Sequence, residues 1–218
     1  MNGNQQNPNP FLQGIRSYMS PLHLENIRKT RVGIAGAGGL GSNCAVHLVR
    51  SGFCRLSIAD YDIVEPSNLN RQFFFSDQVG QKKTEKLKEN LLRINPEASI
   101  RTIDVRLNAD NVLPIFEDCP VVIEALDNAE DKVMMVRRIV PSGKFFVSVS
   151  GIGGWGDSDR ITTRKIKDNF YVVGDMVSEV GNHLPPTSAI VAIAAAKQAD
   201  LVLSHIAGPA GFMLEKTE

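Results

Sequence analysis

Asp60, Asp62, Asn68, Arg71 and Gln72 fall within one short segment, DYDIVEPSNLNRQ, residues 60–72. A turn needs one or two polar side chains to satisfy its backbone, not this many. An arginine among amides is suited to clamping phosphoryl oxygens, because its planar fork presents several donors at once. Upstream, Gly36, Gly38 and Gly41 in GAGGLGS satisfy G-x-G-x-x-G between a short apolar run and a helical pattern. In that context glycines permit a tight turn and let backbone amides approach a phosphate at a helix start. Asp60 follows the glycine loop by about 20 residues, where a dinucleotide fold carries an acid for a ribose hydroxyl. Glycine loop and acid alone suit a dinucleotide as well as ATP; the polar set behind Asp60 favours phosphate chemistry.

Two further segments carry candidate chemistry. VGQKKTEK, residues 79–86, opens a helix with lysines at 82, 83 and 86. Most of such a run is a solvated face, and at most one or two lysines near its start reach a cleft. EALDNAEDK, residues 124–132, puts Asp127 just past an apolar run. A carboxylate there can hold a magnesium ion bridging phosphate oxygens. The competing role is helix capping, which aspartate and asparagine both fill well, so Asn128 can be the cap while Asp127 takes the metal.

These residues need a frame that brings them together. Apolar runs at 31–36, 55–60, 99–105, 120–126 and 144–151 read as buried strands, and helical periodicity fills the intervals between them. Alternation of this kind predicts an α/β, Rossmann-like fold: a mainly parallel sheet with helices on both faces. Gly36, Asp60, Leu126 and Gly151 all fall at strand ends, so the polar residues after them should converge on one cleft. Beyond residue 151 the pattern changes. ITTRKIKDNFYVV predicts an added antiparallel hairpin with alternating faces, and SAIVAIAAAKQADLVLSHIAG a buried helix, interrupted by Lys197, Gln198 and Asp200 and so not a membrane span.

Composition bounds the rest. Lysine plus arginine (24) equals aspartate plus glutamate (24), so no global field attracts nucleic acid or anionic lipid. Cys44, Cys54 and Cys119 are odd in number and lack a Cys-x-x-Cys pair, which argues against disulfides and a tetrathiolate zinc site and for a reducing, cytoplasmic compartment. The start, MNGNQQNPNP, lacks a signal-peptide pattern and reads as a disordered tail over 1–10, ahead of a single domain over 11–218.

RVGIAGAGGLGSN, DYDIVEPSNLNRQ, VGQKK and EALDN stand in the order and spacing of the ThiF/MoeB superfamily, the relatives of ubiquitin-activating enzymes, and the chain resembles that family from about residue 30 to 205. The short length, SNLNRQ and the ending VVGD…AIAAAKQAD are most similar to its short ThiF-like form. The resemblance implies an adenylyltransferase that uses ATP and Mg2+ to activate the C-terminal glycine of a ubiquitin-like sulfur carrier protein, ThiS in thiamine biosynthesis, with release of pyrophosphate. It implies that Gly39 and the loop amides around Gly36, Gly38 and Gly41 contact the nucleotide, and that Asp60 holds the ribose. Asp62 and Asn128 belong to the implied nucleotide set; Asn68, Arg71 and Gln72 face the phosphates. Lys83, not Lys82, aligns with the family's catalytic lysine, and Asp127 with its magnesium-linked aspartate. It also implies a homodimer in which an N-terminal arginine, Arg16 being nearest, reaches the partner's site.

The chain departs from many relatives in lacking paired Cys-x-x-Cys motifs, so no zinc is expected. With no cysteine after residue 150, sulfur transfer is left to a separate donor protein. Three other readings stay open: the same chemistry on a MoaD-like or ubiquitin-like carrier or on a modified tRNA base, an NAD-dependent oxidoreductase, and a non-catalytic carrier-binding scaffold. The oxidoreductase reading leaves Arg71, Lys83 and Asp127 without a task.

Overall fold

A computed structural model describes residues 9–181 and 183–208. Helices α1 (Pro10–Arg16) and α2 (Pro21–Lys29) lead into β1 (Arg31–Ala35), α3 (Gly39–Arg50) and β2 (Arg55–Asp60). After a long polar connection come α4 (Lys83–Leu92), β3 (Ser99–Asp104), α5 (Val112–Ile115), β4 (Val121–Glu124), α6 (Ala129–Ile139) and β5 (Phe145–Val149). The chain then forms β6 (Thr162–Lys167), β7 (Phe170–Gly174) and α7 (Ser188–Ala207). Eight residues of the predicted disordered tail, 1–8, lie outside the described residues, as does 209–218. The other two differ from expectation: Asn9 caps α1 by accepting from the Phe11 amide, and Pro10 is its first residue. A proline suits that position because its missing N–H has no helical partner there.

All seven strands share one sheet in the order β3-β2-β1-β4-β5-β7-β6, parallel except for the β6–β7 pair. The order reverses beside β1, whose neighbours are β2 and β4. The predicted mainly parallel, Rossmann-like frame with an antiparallel addition is therefore what forms. β4 and β5 are buried at every residue, as near-continuous apolar runs predict for strands covered on both faces. Core residues divide by face. Ile27, Leu48, Leu91 and Val202 belong to one cluster, with α2, α3, α4 and α7; Phe116, Met135 and Ile139 belong to the other, with α5 and α6.

The hairpin differs from expectation in one respect. Alternation over residues 161–173 predicts one buried face on each strand, yet β6 is exposed at all its residues. β6 is the sheet's edge, and β7 alone takes the place beside β5. α7 is long and apolar enough to cross a bilayer by length and composition, but it lies against α3 and β5 with Ile190, Ala194, Gln198 and Val202 buried, as a core helix does.

Candidate functional site

A cleft of about 580 Å³ opens at the C-terminal ends of β1, β2, β4 and β5, beside the reversal in strand order. Parallel α/β sheets bind ligands there because the loops diverge and the helix starts point inward. Of the predicted residues, Gly36, Gly38, Gly39, Asp60, Asp62, Arg71, Gln72, Lys83 and Asp127 line it. Gly41, Asn68 and Asn128 do not.

The glycine loop is shaped by contact. Gly36 has φ +100°, which strains any other residue, and donates to Ala59 across to β2. A Cβ on Gly41 would sit 1.9 Å from the Gly36 carbonyl oxygen, so Gly41 lets α3 start against the loop and is itself buried. Gly38 is the N-cap of α3 and brings no side-chain cap, which leaves first-turn amides facing the cleft.

Asp60 ties this loop to the next segment. One carboxylate oxygen accepts from the Ala37 amide at 2.6 Å and the other from the Asp62 amide at 2.8 Å. Burial pushes its carboxyl above the usual range, although those amides and Lys83 pull the other way. Asp62 is paired with Lys83 at 2.8 Å; the Lys83 side chain is 8% exposed and that of Asp62 is 47% exposed. Lys82 instead meets Asp104 at the surface and does not line the cleft, which separates the two lysines as the sequence reading does.

Arg71 lies over the start of α3. Its guanidinium donates to the Ser67 carbonyl and to Asn70 Oδ1, while its own carbonyl accepts from Asn43. Asn43 also reaches the Gly39 carbonyl, and Ser42 Oγ accepts from the Phe73 amide. Two residues of the first turns of α3 thus fasten the arginine-bearing segment to the glycine loop; GSN carries them in the sequence, but their task is visible only in three dimensions. Gln72 is buried beside them with its Oε1 unpartnered among the described residues, which leaves an acceptor in want of a donor at the cleft wall.

Two expected nucleotide contacts are engaged elsewhere. The Asn68 side chain accepts from the Glu65 amide and closes the short 3-10 turn at Pro66–Asn68, buried away from the cleft. Asn128 caps α6, accepting from the Glu130 and Asp131 amides, which frees Asp127 from that duty. Asp127 is exposed at the cleft, without an ion-pair or side-chain hydrogen-bond partner among the described residues. Arg16, at the end of α1, is exposed and outside the cleft lining.

The far wall went unread in the sequence. Glu124, wholly buried at the end of β4, accepts from Lys132 Nζ through both oxygens, from Ser148 Oγ, and from the Leu126 amide. Lys132 also donates to the Val149 carbonyl, so all three ammonium protons have acceptors. Farther along, Arg160 pairs with Asp175 and donates to Gly153 O, and Asp175 accepts from the amides of Val177 and Ser178. Burial pushes the Asp175 carboxyl up, but those two amides, the Ser178 hydroxyl and Arg160 outweigh it and hold it at about 2. Met176, beside them, has φ +67°. A glutamate inside the apolar run VVIE was the one available signal, since a buried charge requires a partner.

Trp155 is neither packed nor over the cleft; it is 70% exposed and outside the lining. All three cysteines are buried, and burial pushes the Cys119 thiol up to about 11 and that of Cys44 higher still. Among the described residues no group of three histidine, cysteine or acidic side chains is arranged to hold a metal.

The ThiF family model matches residues 13–215. Among curated proteins, the chain is similar to the adenylyltransferase and sulfurtransferase UBA4 of Candida glabrata, 38% identical over 131 residues, 60% of this chain and 30% of that protein. It is similarly related to the adenylyltransferase and sulfurtransferase MOCS3 of Aedes aegypti, 34% identical over 127 residues, 58% of this chain and 29% of that one. The chain thus spans about three-tenths of the length of these relatives. Among solved structures, the E. coli tRNA N6-threonylcarbamoyladenosine dehydratase TcdA in complex with ATP superposes with a TM-score of 0.82 at 22% identity, covering 90% of this chain and 93% of that one. E. coli MccB with ATP gives 0.69 at 23% identity, over 92% and 64%.

Proposed function

The chain belongs to the ThiF family, and from that premise we propose that it is an adenylyltransferase acting on the C-terminal carboxylate of a ubiquitin-like carrier protein. The observation that carries this reading is the convergence of the glycine loop, Arg71, Lys83 and Asp127, unpartnered among the described residues, on one cleft from separate strand ends. A carboxylate oxygen attacks the α-phosphorus of ATP, the bond from that phosphorus to the bridging oxygen breaks, and pyrophosphate leaves with the electron pair. Negative charge grows on the α-phosphate and pyrophosphate oxygens. Amides at the start of α3, Lys83 and Arg71 meet that charge where it develops, which lowers the barrier. In this reading Asp60 orients the ribose as well as holding the loop. No side chain has to form a covalent intermediate in this step.

Asp127 is the residue that would hold a magnesium ion. One carboxylate suffices, because magnesium keeps several waters and binds largely through substrate phosphates; when bound, it neutralises charge across those phosphates. We further propose a ThiS-type carrier in a thiamine pathway, with a MoaD type as the alternative, a cytoplasmic location and a homodimeric assembly. The buried, high-pKa thiols of Cys44 and Cys119 support leaving sulfur transfer to a separate donor protein.

The test is magnesium-dependent pyrophosphate–ATP exchange, with and without a carrier ending in Gly-Gly, for the wild type and Lys83→Ala. Exchange is expected to need the intact carrier and to fall about 100-fold or more in the variant. Exchange with a MoaD-type but not a ThiS-type carrier would move the protein to another pathway with the chemistry intact. ATP binding without exchange on any carrier would leave a binding scaffold, and binding of NAD but not ATP an oxidoreductase.

A further inference from the structure

Lys83 and Asp62 pose a problem for any anion that enters the cleft. Both line it, and both are already spoken for by each other, Nζ to Oδ2 at 2.8 Å. The backbone around them is fixed. The Lys83 amide donates to the Asp62 carbonyl, Ile63 and Lys82 form a β-bridge, and Val64 exchanges hydrogen bonds with the Gly80–Gln81 turn. The Asp62 amide in turn is held by Asp60. Rearrangement at this point is therefore confined to side chains.

The two partners are unequal in freedom. Lys83 is 8% exposed, so its ammonium cannot retreat to bulk water, whereas Asp62 at 47% can turn out to solvent by rotation about its side-chain bonds. Lys83 Nζ makes one hydrogen bond to a protein acceptor among the described residues, leaving two donors for a ligand. A phosphate that takes those donors either shares the ammonium with a like-charged carboxylate or displaces it.

We propose that Asp62 is the resting counter-ion of Lys83, a positioning residue that holds the buried ammonium in place and is exchanged for nucleotide phosphate on binding. The inference rests on the nucleotide reading of the cleft and reverses the sign expected for Asp62, which the sequence reading counts among the groups that bind the nucleotide. An occupied partner makes the empty site selective: a weak monoanion does not compete with the carboxylate, while a di- or triphosphate does. Removing the carboxylate should therefore strengthen anion binding, not weaken it.

Calorimetric titration of the full chain with Mg-ATP, and separately with inorganic pyrophosphate, tests this in wild type, Asp62→Asn, Lys83→Met and the double variant. Asp62→Asn is expected to bind both ligands about fivefold more tightly, the scale of a partly exposed ion pair. In the Lys83→Met background the same change should have no effect, because Asp62 acts through Lys83. Unchanged or weaker binding in folded Asp62→Asn, judged by its thermal transition, overturns the proposal, as does equal tightening with and without Lys83. Asp62→Ser repeats the measurement should the asparagine variant be unfolded. Failure of the nucleotide reading looks different: wild type binds no ATP, yet pyrophosphate binding still rises in Asp62→Asn and depends on Lys83.

Discussion

The two walls of the cleft handle charge in opposite ways. On the side of β1 and β2, Asp60 and Arg71 are bonded mainly to backbone, Asp62 is half exposed, and Gln72 keeps an unpartnered acceptor. Behind the wall on the side of β4, β5 and β7, Glu124 with Lys132 and Arg160 with Asp175 face one another, and of these four only Lys132 lines the cleft. The first wall can rearrange onto a substrate; the second holds strand ends and loops where they are. Asp127 belongs to neither pattern. It stands between them, unpaired among the described residues and carried on a turn that the buried Glu124 fixes through the Leu126 amide.

The sharpest way to break this contrast is Lys132→Met. It strands the wholly buried Glu124 carboxylate, and the expected loss is about 3–5 kcal/mol by chemical denaturation, the cost of an uncompensated buried charge. Adding Glu124→Gln should return most of that stability. A loss below about 1 kcal/mol would mean that Lys132 is as replaceable as a surface residue and that the walls do not differ.

A smaller effect is expected at Asp175. Its carboxyl is held at about 2, below its value in the unfolded chain. The stability it contributes is therefore complete above the ordinary carboxylate range and is lost as pH falls through that range toward about 2. Hydrogen exchange, corrected for intrinsic rates, should show the Val177 and Ser178 amides losing protection over that interval. Asp175→Asn should make the loss present at neutral pH, at a cost of about 1–3 kcal/mol. Protection that does not depend on pH would remove Asp175 from the load on that wall.

The smallest effect sharpens the boundary between the walls. Asn128→Ala removes the α6 cap and should cost about 1 kcal/mol, read by urea titration, with Asn128→Asp restoring most of it. No loss would say that the helix start is held by something other than its cap.

These same walls explain what could be read from the chain beforehand. The strands were legible because five apolar runs alternate with helical patterns and three of them end at glycine or at an acid, and the motif-bearing wall because its residues are near neighbours in sequence. β6 misled because alternation in ITTRKIK carries no information on whether the strand is central or an edge. Asn68 and Asn128 misled for a chemical reason: the amide that can hold a phosphate also closes a turn or caps a helix, and spacing does not distinguish them. The second wall was hidden because Glu124 and Ser148, or Arg160 and Asp175, meet only after the strands have been ordered in the sheet.

One consequence of the Asp60 contacts remains. The glycine loop and the turn after β2, whose Asp62 pairs with Lys83, are spaced by a single carboxyl group, with an amide on each oxygen. On that side the mouth of the cleft works like a caliper whose jaw is one aspartyl side chain. Side chains lengthen only by whole methylenes, so its setting changes in steps, and no intermediate gauge exists between aspartate and glutamate.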